Sequence, residues 1–277
     1  MPDWIRVRSV PAGTGRGVAR LVKAMHLNTV CHSAKCPNRS ECWNSGTATF
    51  MILGNICTRG CGFCNVKKGR PAGLDMGEPV RVADAVRQLG LDYAVITSVT
   101  RDDLHDGGAS VFADTIREIK KASPGCRVEV LVPDFAGSDE AIRSVIAASP
   151  DVLNHNIETV PSLYTHVRPG AHYLRSLRLL HIAKQAGVIT KSGLMLGLGE
   201  GIADVRRVMK DLLHTGCDIL TLGQYLQPSK RHIPVARYYR PDEFSALREE
   251  AITMGFRYVA AGPLIRSSYH ACEAFRS

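Results

Sequence analysis

Six of the nine cysteines lie within 34 residues, in two unequal triplets. Cys31, Cys36 and Cys42 are spaced C-x4-C-x5-C; Cys57, Cys61 and Cys64 are spaced C-x3-C-x2-C. Thiolates clustered this closely bind metal or do redox chemistry, and three are one short of the four that a closed zinc site or a simple iron–sulfur cluster takes. Two triplets therefore point to two metal centres, each missing one protein ligand or keeping a position open. The spacing of Cys57, Cys61 and Cys64 lets three thiolates hold three irons of one [4Fe–4S] cube, leaving the fourth iron open to a substrate. Gly60 and Gly62 flank the middle cysteine and permit the unusual backbone turns that such a loop needs. A zinc knuckle completed by a distant residue is the competing reading. For the first triplet the candidate fourth ligands are Cys272, Cys126, Cys217, His32 or a hydroxyl. Cys126 and Cys217 each open an expected strand and read as buried core cysteines.

The elements that must position these thiols alternate in type. Strands are expected at Ala48–Asn55, Tyr93–Val99, Arg127–Pro133, Val152–Ile157, Thr190–Leu198 and Asp218–Leu226, each ending in a Gly, Pro or polar break. Helices are expected between them. Ala109–Lys121 carries Val111, Phe112, Thr115, Ile116 and Ile119 at helical spacing, and Leu174–Ala186 and Ala203–His214 repeat the period. Alternating strands and helices imply a parallel sheet with helices outside it. Six strands are too few for a closed eight-stranded barrel, so the expected fold is α/β, a partial (β/α)6 TIM-type barrel with N- and C-terminal extensions. Functional loops in such folds follow the C-terminal ends of strands, where the Cys57–Cys64 loop lies. Three segments are expected: 1–47 with the first triplet, 48–227 as the barrel, and 228–277 with a helix at Asp242–Met254 and a strand at Phe256–Ala260.

Composition narrows the class. Apolar residues make up 45% and charged residues 22%, as in an ordinary globular chain. No 18-residue apolar run suggests a transmembrane helix, and the basic, Gly-rich N-terminus lacks the apolar core of a secretory signal. Nine cysteines without such a signal fit a reducing compartment, the cytoplasm, and metal binding more than disulfides. The formal net charge of +9 favours an acidic partner, a protein in the absence of nucleic-acid-binding motifs; the competing reading, since the charge is spread along the chain, is a solvated basic surface with no specific role. Arg101, Asp102 and Asp103 read as an internal polar network, and His155 and His181 as structural histidines.

The chain resembles the lipoyl synthases, a family of radical S-adenosylmethionine (SAM) enzymes. The likeness is carried by both triplets within 29–71, including Phe63 before Cys64, and by TSVTRDDLHDGGA at 97–109 and LNHNIETVPSLY at 153–164. It continues in VRPGAHY at 167–173, KSGLMLGLGE at 191–200, LTLGQYLQPS at 220–229 and GPLIRSSYHA at 262–271. The pairing of two triplets with RSSY is specific; a biotin-synthase-like sulfur inserter would share only the second triplet. A non-catalytic iron–sulfur protein is the alternative from another class. Gly201 and His105 depart slightly from the family pattern, away from any ligand.

The resemblance implies that Cys57, Cys61 and Cys64 carry the cluster that binds and reductively cleaves SAM. The resulting 5′-deoxyadenosyl radical abstracts hydrogen at C6 and C8 of an octanoyl chain, which takes two SAM molecules per lipoyl group. Cys31, Cys36 and Cys42 match a second, auxiliary [4Fe–4S] cluster that gives up its sulfur. Its fourth ligand in the family corresponds to Ser268, an oxygen donor and a harder ligand than thiolate. Thr97 and Ser98, Asn156 and Glu158, and Glu200 with Gly197 and Gly199 fall at expected strand ends, where SAM would be held. The implied substrate is an octanoylated lipoyl carrier domain, such as a 2-oxoacid dehydrogenase E2 subunit or the glycine cleavage H protein. An electron donor such as ferredoxin or flavodoxin and a cluster-repair carrier are implied as well, and neither nucleic acid nor membrane.

Overall fold

The structure, a computed structural model, describes residues 1–6, 16–44 and 48–276. The Gly-rich stretch read in the N-terminus lies largely outside them. Two compact units are present: Val7–Arg59 with Asn65–Leu153, and Met1–Arg6 with Gly60–Cys64 and Asn154–Ser277. The three-segment division follows motif content, whereas these units follow packing.

The first unit contains β1 (Asn28–Thr29), β2 (Thr49–Ile52), β3 (Ile56–Cys57), β4 (Lys67–Lys68), β5 (Tyr93–Ser98), β6 (Arg127–Leu131) and β7 (Val152–Asn154). Its main strand order is β1-β2-β5-β6-β7. β1 runs antiparallel to β2, while β2 pairs with β5 and β5 with β6 in parallel. All four residues of β2 are buried, as expected of a parallel strand covered on both faces. The helices are α1 (Arg16–Ala24), α2 (Val30–Ser33), α3 (Arg39–Asn44), α4 (Glu78–Gln88), α5 (Ala109–Ala122) and α6 (Asp139–Ala147). The five apolar-face residues expected of α5 are all buried, and Lys120 and Lys121 complement the dipole in its last turn. Helix α6 is capped by Ser138, whose hydroxyl accepts the Ala141 N–H at 3.2 Å.

The second unit contains α7 (Tyr164–Val167), α8 (Tyr173–Gln185), β8 (Ile189–Leu196), α9 (Ile202–His214), β9 (Ile219–Gln224), α10 (Pro241–Met254), β10 (Tyr258–Gly262) and α11 (Ala271–Arg276). β8 pairs with β9 in parallel, and β10 adds a further parallel strand to β9, with Tyr258 opposite Ile219 and Gly262 opposite Gly223. Helix α10 opens on Pro241, and the Glu243 carboxylate accepts the Arg240 N–H at 2.9 Å. It stops at Gly255, whose φ of 115° suits glycine. All six expected barrel strands are present. Among the described residues no helix is long and apolar enough to cross a membrane.

One turn of the first unit sets the course of the cysteine loop. After β2, Leu53 takes a left-handed φ of 69°, which a branched side chain disfavours. The buried Glu78 carboxylate, at the start of α4, accepts the Leu53 N–H at 2.6 Å, and Arg101 donates to the Leu53 carbonyl at 3.3 Å. Burial raises the pKa of Glu78 above its ordinary 4.5. The folded chain therefore holds this proton more tightly than the unfolded one, and the group's contribution to stability falls as pH rises from 4.5 through the raised value. Urea midpoints across this range should fall less steeply for Glu78→Gln than for the parent chain; parallel curves would refute the assignment.

Candidate active site

The first triplet sits on consecutive tight turns. Thr29 caps α2 by accepting the His32 N–H at 3.3 Å. Cys36 N–H donates to the Cys31 carbonyl at 3.1 Å, Arg39 N–H to the Cys36 carbonyl at 3.3 Å and Cys42 N–H to the Asn38 carbonyl at 3.0 Å. Burial first, then the charges of Cys31, Cys36 and Glu41, push the Cys42 thiol up to about 12. A thiol whose ionisation is opposed by neighbouring thiolates is suited to a metal, whose positive charge relieves that repulsion. Among the described residues no group of three His, Cys, Asp or Glu side chains is arranged to hold a single metal ion. A four-iron cube differs in kind, because each cysteine takes its own iron.

Cys57 ends β3, directly opposite Lys68 of β4. The Thr100 N–H donates to its Sγ at 3.3 Å, and Thr58 ties the same segment down through its N–H and hydroxyl, both donated to the Thr100 carbonyl at 3.0 Å. Arg59 bridges Asp102 and the buried Asp134, each at 2.7 Å. Burial opposes the charge on Arg59, but the hydrogen bonds to Asp102 and Asp134 outweigh it and raise its pKa. Asn65, one residue past Cys64, donates to the Ser33 carbonyl at 2.9 Å and so fastens the end of the second triplet's loop to the turn that bears Cys31. Arg101 is buried and pairs with Asp103 at 2.9 Å, while Asp102 pairs with Arg59; both aspartates are exposed, so the expected internal network is instead two ion pairs at the surface.

In the other unit, Gly60–Cys64 is gripped by its backbone. Gly62 donates to the Val167 carbonyl at 2.9 Å and accepts from Ile233 at 3.1 Å. His232 spans from Ser229, 2.9 Å from its Nδ1, to the Cys64 carbonyl, 3.1 Å from its Nε2. Phe63 packs against Val167, Leu198 and Tyr225. The segment that carries these partly buried cysteines is thus held largely by hydrogen bonds to its main chain.

The expected SAM-binding residues divide by how far their polar groups are spent. The Thr97 hydroxyl donates to the Leu131 carbonyl at 3.0 Å, whereas the buried Ser98 Oγ has no partner among the described residues. The Glu200 carboxylate accepts the Gly197 and Leu198 N–H groups at 2.6 and 2.8 Å and shapes the turn after β8. Gly197, at a φ of 102°, is required by close approach: a Cβ there would collide with Gln224 and the Arg237 carbonyl. Asn156 donates its amide to Glu158 at 3.1 Å and to Ser267 at 2.7 Å. Burial raises the pKa of Glu158, against the favourable charge of Arg168. Arg168 in turn donates to the Asn156 and Ile157 carbonyls at 2.8 and 3.1 Å and to the Tyr164 hydroxyl at 2.7 Å. The buried His155 meets Ser176 at 2.9 Å, as a structural histidine, and His181 is exposed.

A matching family model, the Radical SAM superfamily, covers residues 51–212. Curated lipoyl synthases are also similar. That of Rubrobacter xylanophilus is 58% identical over 98% of this chain and 85% of its own length. Those of Koribacter versatilis and Caldanaerobacter subterraneus subsp. tengcongensis are 55% and 58% identical, over 100% and 98% of this chain and 91% and 95% of theirs. The chain belongs to the lipoyl synthase family. As a radical SAM enzyme of lipoyl cofactor biosynthesis, this lipoyl synthase homologue works with a [4Fe–4S] cluster and SAM. Methylornithine synthase superposes with a TM-score of 0.56 at 14% identity, covering 92% of this chain and 80% of that one. Streptococcus suis SuiB bound to S-adenosylmethionine gives 0.61 at 12%, covering 89% and 60%. These likenesses show the fold alone, the α/β partial-barrel class expected from the sequence.

Sequence reasoning assigned no role to Arg168, Ser267, His232 or Asn65. The first two lie inside quoted motifs, VRPGAHY and RSSY, while His232 and Asn65 act through carbonyls and leave no pattern of their own. Ser267 closes its bond to Asn156 only because Gly193 and Gly223 lack side chains. A Cβ on Gly193 would crowd Thr221, Asn156 and Ser267, and one on Gly223 would strike the Ile265 carbonyl. Gly223→Ala should lower unfolding free energy by about 1–3 kcal/mol. Gly125→Ala, where a Cβ meets nothing within 4 Å, should stay within about 0.5 kcal/mol of the parent. Equal urea midpoints for the two variants would refute the close-approach argument.

Proposed function

We propose that this lipoyl synthase family member inserts sulfur at C6 and C8 of an octanoyl group held as an amide on a lysine of a carrier domain, in the cytoplasm, drawing the sulfur from an auxiliary [4Fe–4S] cluster. The SAM-binding cluster supplies the reducing electron that generates a carbon-centred radical, chemistry no acid or base can replace at an unactivated C–H bond. Cys57, Cys61 and Cys64 hold that cluster. Thr97, Ser98, Asn156, Glu158 and Glu200 orient SAM. Cys31, Cys36, Cys42 and Ser268 hold the auxiliary cluster.

The observation that carries this reading is the division of labour between the two serines of RSSY. The Ser267 hydroxyl is engaged with Asn156 at 3.0 Å. Neighbouring Ser268 is half-buried, and its hydroxyl has no hydrogen-bond partner among the described residues. An uncommitted hydroxyl on an anchored segment suits a hard, replaceable ligand for a cluster that is to be opened.

Anaerobic reconstitution should load about eight irons, as two four-iron cubes require. Ser268→Ala should fall to about half that content, while Cys272→Ala keeps it; loss in Cys272→Ala alone would move the fourth ligand to the thiol. With SAM, a chemical reductant and an octanoylated carrier, the loaded protein should release two 5′-deoxyadenosines per lipoyl group. Deoxyadenosine without sulfur insertion would remove the lipoyl assignment and leave radical chemistry standing.

A further inference from the structure

The register of a two-residue ribbon places positive charge beside a proposed cluster ligand. β4 consists of Lys67 and Lys68, paired in parallel with Ile56 and Cys57, and Gly69 N–H donates to the Cys57 carbonyl at 3.0 Å. Lys67, Lys68, Gly69 and Arg70 are all exposed. The chain then stays on the surface through Ala72–Gly77, showing Leu74 at 38% and Met76 at 71% of full exposure, with Val80 at 50% in the first turn of α4. The one acid between residues 65 and 77 is Asp75, which is paired with Arg81 at 2.7 Å. Lys67, Lys68 and Arg70 have no ion-pair partner among the described residues.

We infer that this strip, Lys67 to Met76, is the docking surface for the carrier domain, recognised as an acidic protein that presents an acylated lysine. The inference rests on the sulfur-insertion reading and adds where the carrier sits. The carbons to be attacked lie at the end of a tether of fixed length, so the carrier's body must dock within one acyl-lysine arm of the radical-generating cluster. This exposed basic strip is hydrogen-bonded through Gly69 to Cys57 itself, a proposed ligand of that cluster. Cations steer an acidic partner and set its orientation, while exposed Leu74 and Met76 offer apolar contact. This gives part of the +9 net charge a specific place to act.

The test is Lys67→Glu combined with Lys68→Glu in the full reconstituted chain, with a chemical reductant replacing any protein donor. Binding of an octanoylated acidic carrier domain is read by titration, separately from turnover. Affinity at low salt should fall at least about tenfold, and its salt dependence should flatten, as expected when steering charges are reversed. The ratio of kcat/KM for the carrier to that for a short octanoyl-lysine peptide should fall by a similar factor. Unchanged carrier binding, or an equal loss for carrier and peptide, would overturn the docking surface. So would an effect seen only with a protein reductant, which would assign the strip to an electron donor. If the parent chain binds the carrier but never forms a lipoyl group, the sulfur-insertion reading fails instead, and the binding comparison still decides the strip.

Discussion

The arrangement of the first unit depends on holding a non-glycine residue in a left-handed turn. Leu53 leaves a fully buried strand, and the chain must reverse into the loop that bears Cys57. A buried carboxylate on the amide and a guanidinium on the carbonyl fix both polar groups of that one peptide segment. Each clamp is itself anchored: Glu78 sits in the first turn of α4, where the helix dipole favours negative charge, and Arg101 is paired with Asp103 and the Ala72 carbonyl. A strained turn persists only when its surroundings over-determine it, and here the surroundings lead directly to a proposed metal ligand.

The legible parts of the fold were those with strong periodic contrast. The strands are dense in Val, Ile and Leu, and α5 has a wide apolar stripe, so both could be read from the chain alone. Helix α4 was not: EPVRVADAVRQ has proline in its first turn, and two of its six buried positions are alanine, which blurs the apolar face. The ribbon of β3 and β4 is two residues long on each side, too short for any pattern, yet it decides what lies beside Cys57.

In the site, the proposed ligands were legible and their support was not. Cysteines announce themselves by type and spacing. Arg168, His232 and Asn65 work by donating to carbonyls, which every residue possesses, so only the folded path shows which carbonyls they meet. Glu200 shows the converse. Its place in a glycine-rich motif makes it legible as a site residue, and it also does support work, because its oxygens accept main-chain amides and shape the turn after β8.

The bond from the Thr100 amide to the Cys57 sulfur reaches beyond geometry. Hydrogen bonds to ligating sulfurs are among the determinants of iron–sulfur reduction potentials, because they stabilise the more electron-rich state. Here the donor belongs to the backbone. The electronic environment of this sulfur is therefore written into the path of the chain at the end of β5, indifferent to which side chain stands at position 100 and lost only to proline, which has no amide hydrogen. A side-chain change at position 100 short of proline therefore leaves the donor of this hydrogen bond in place.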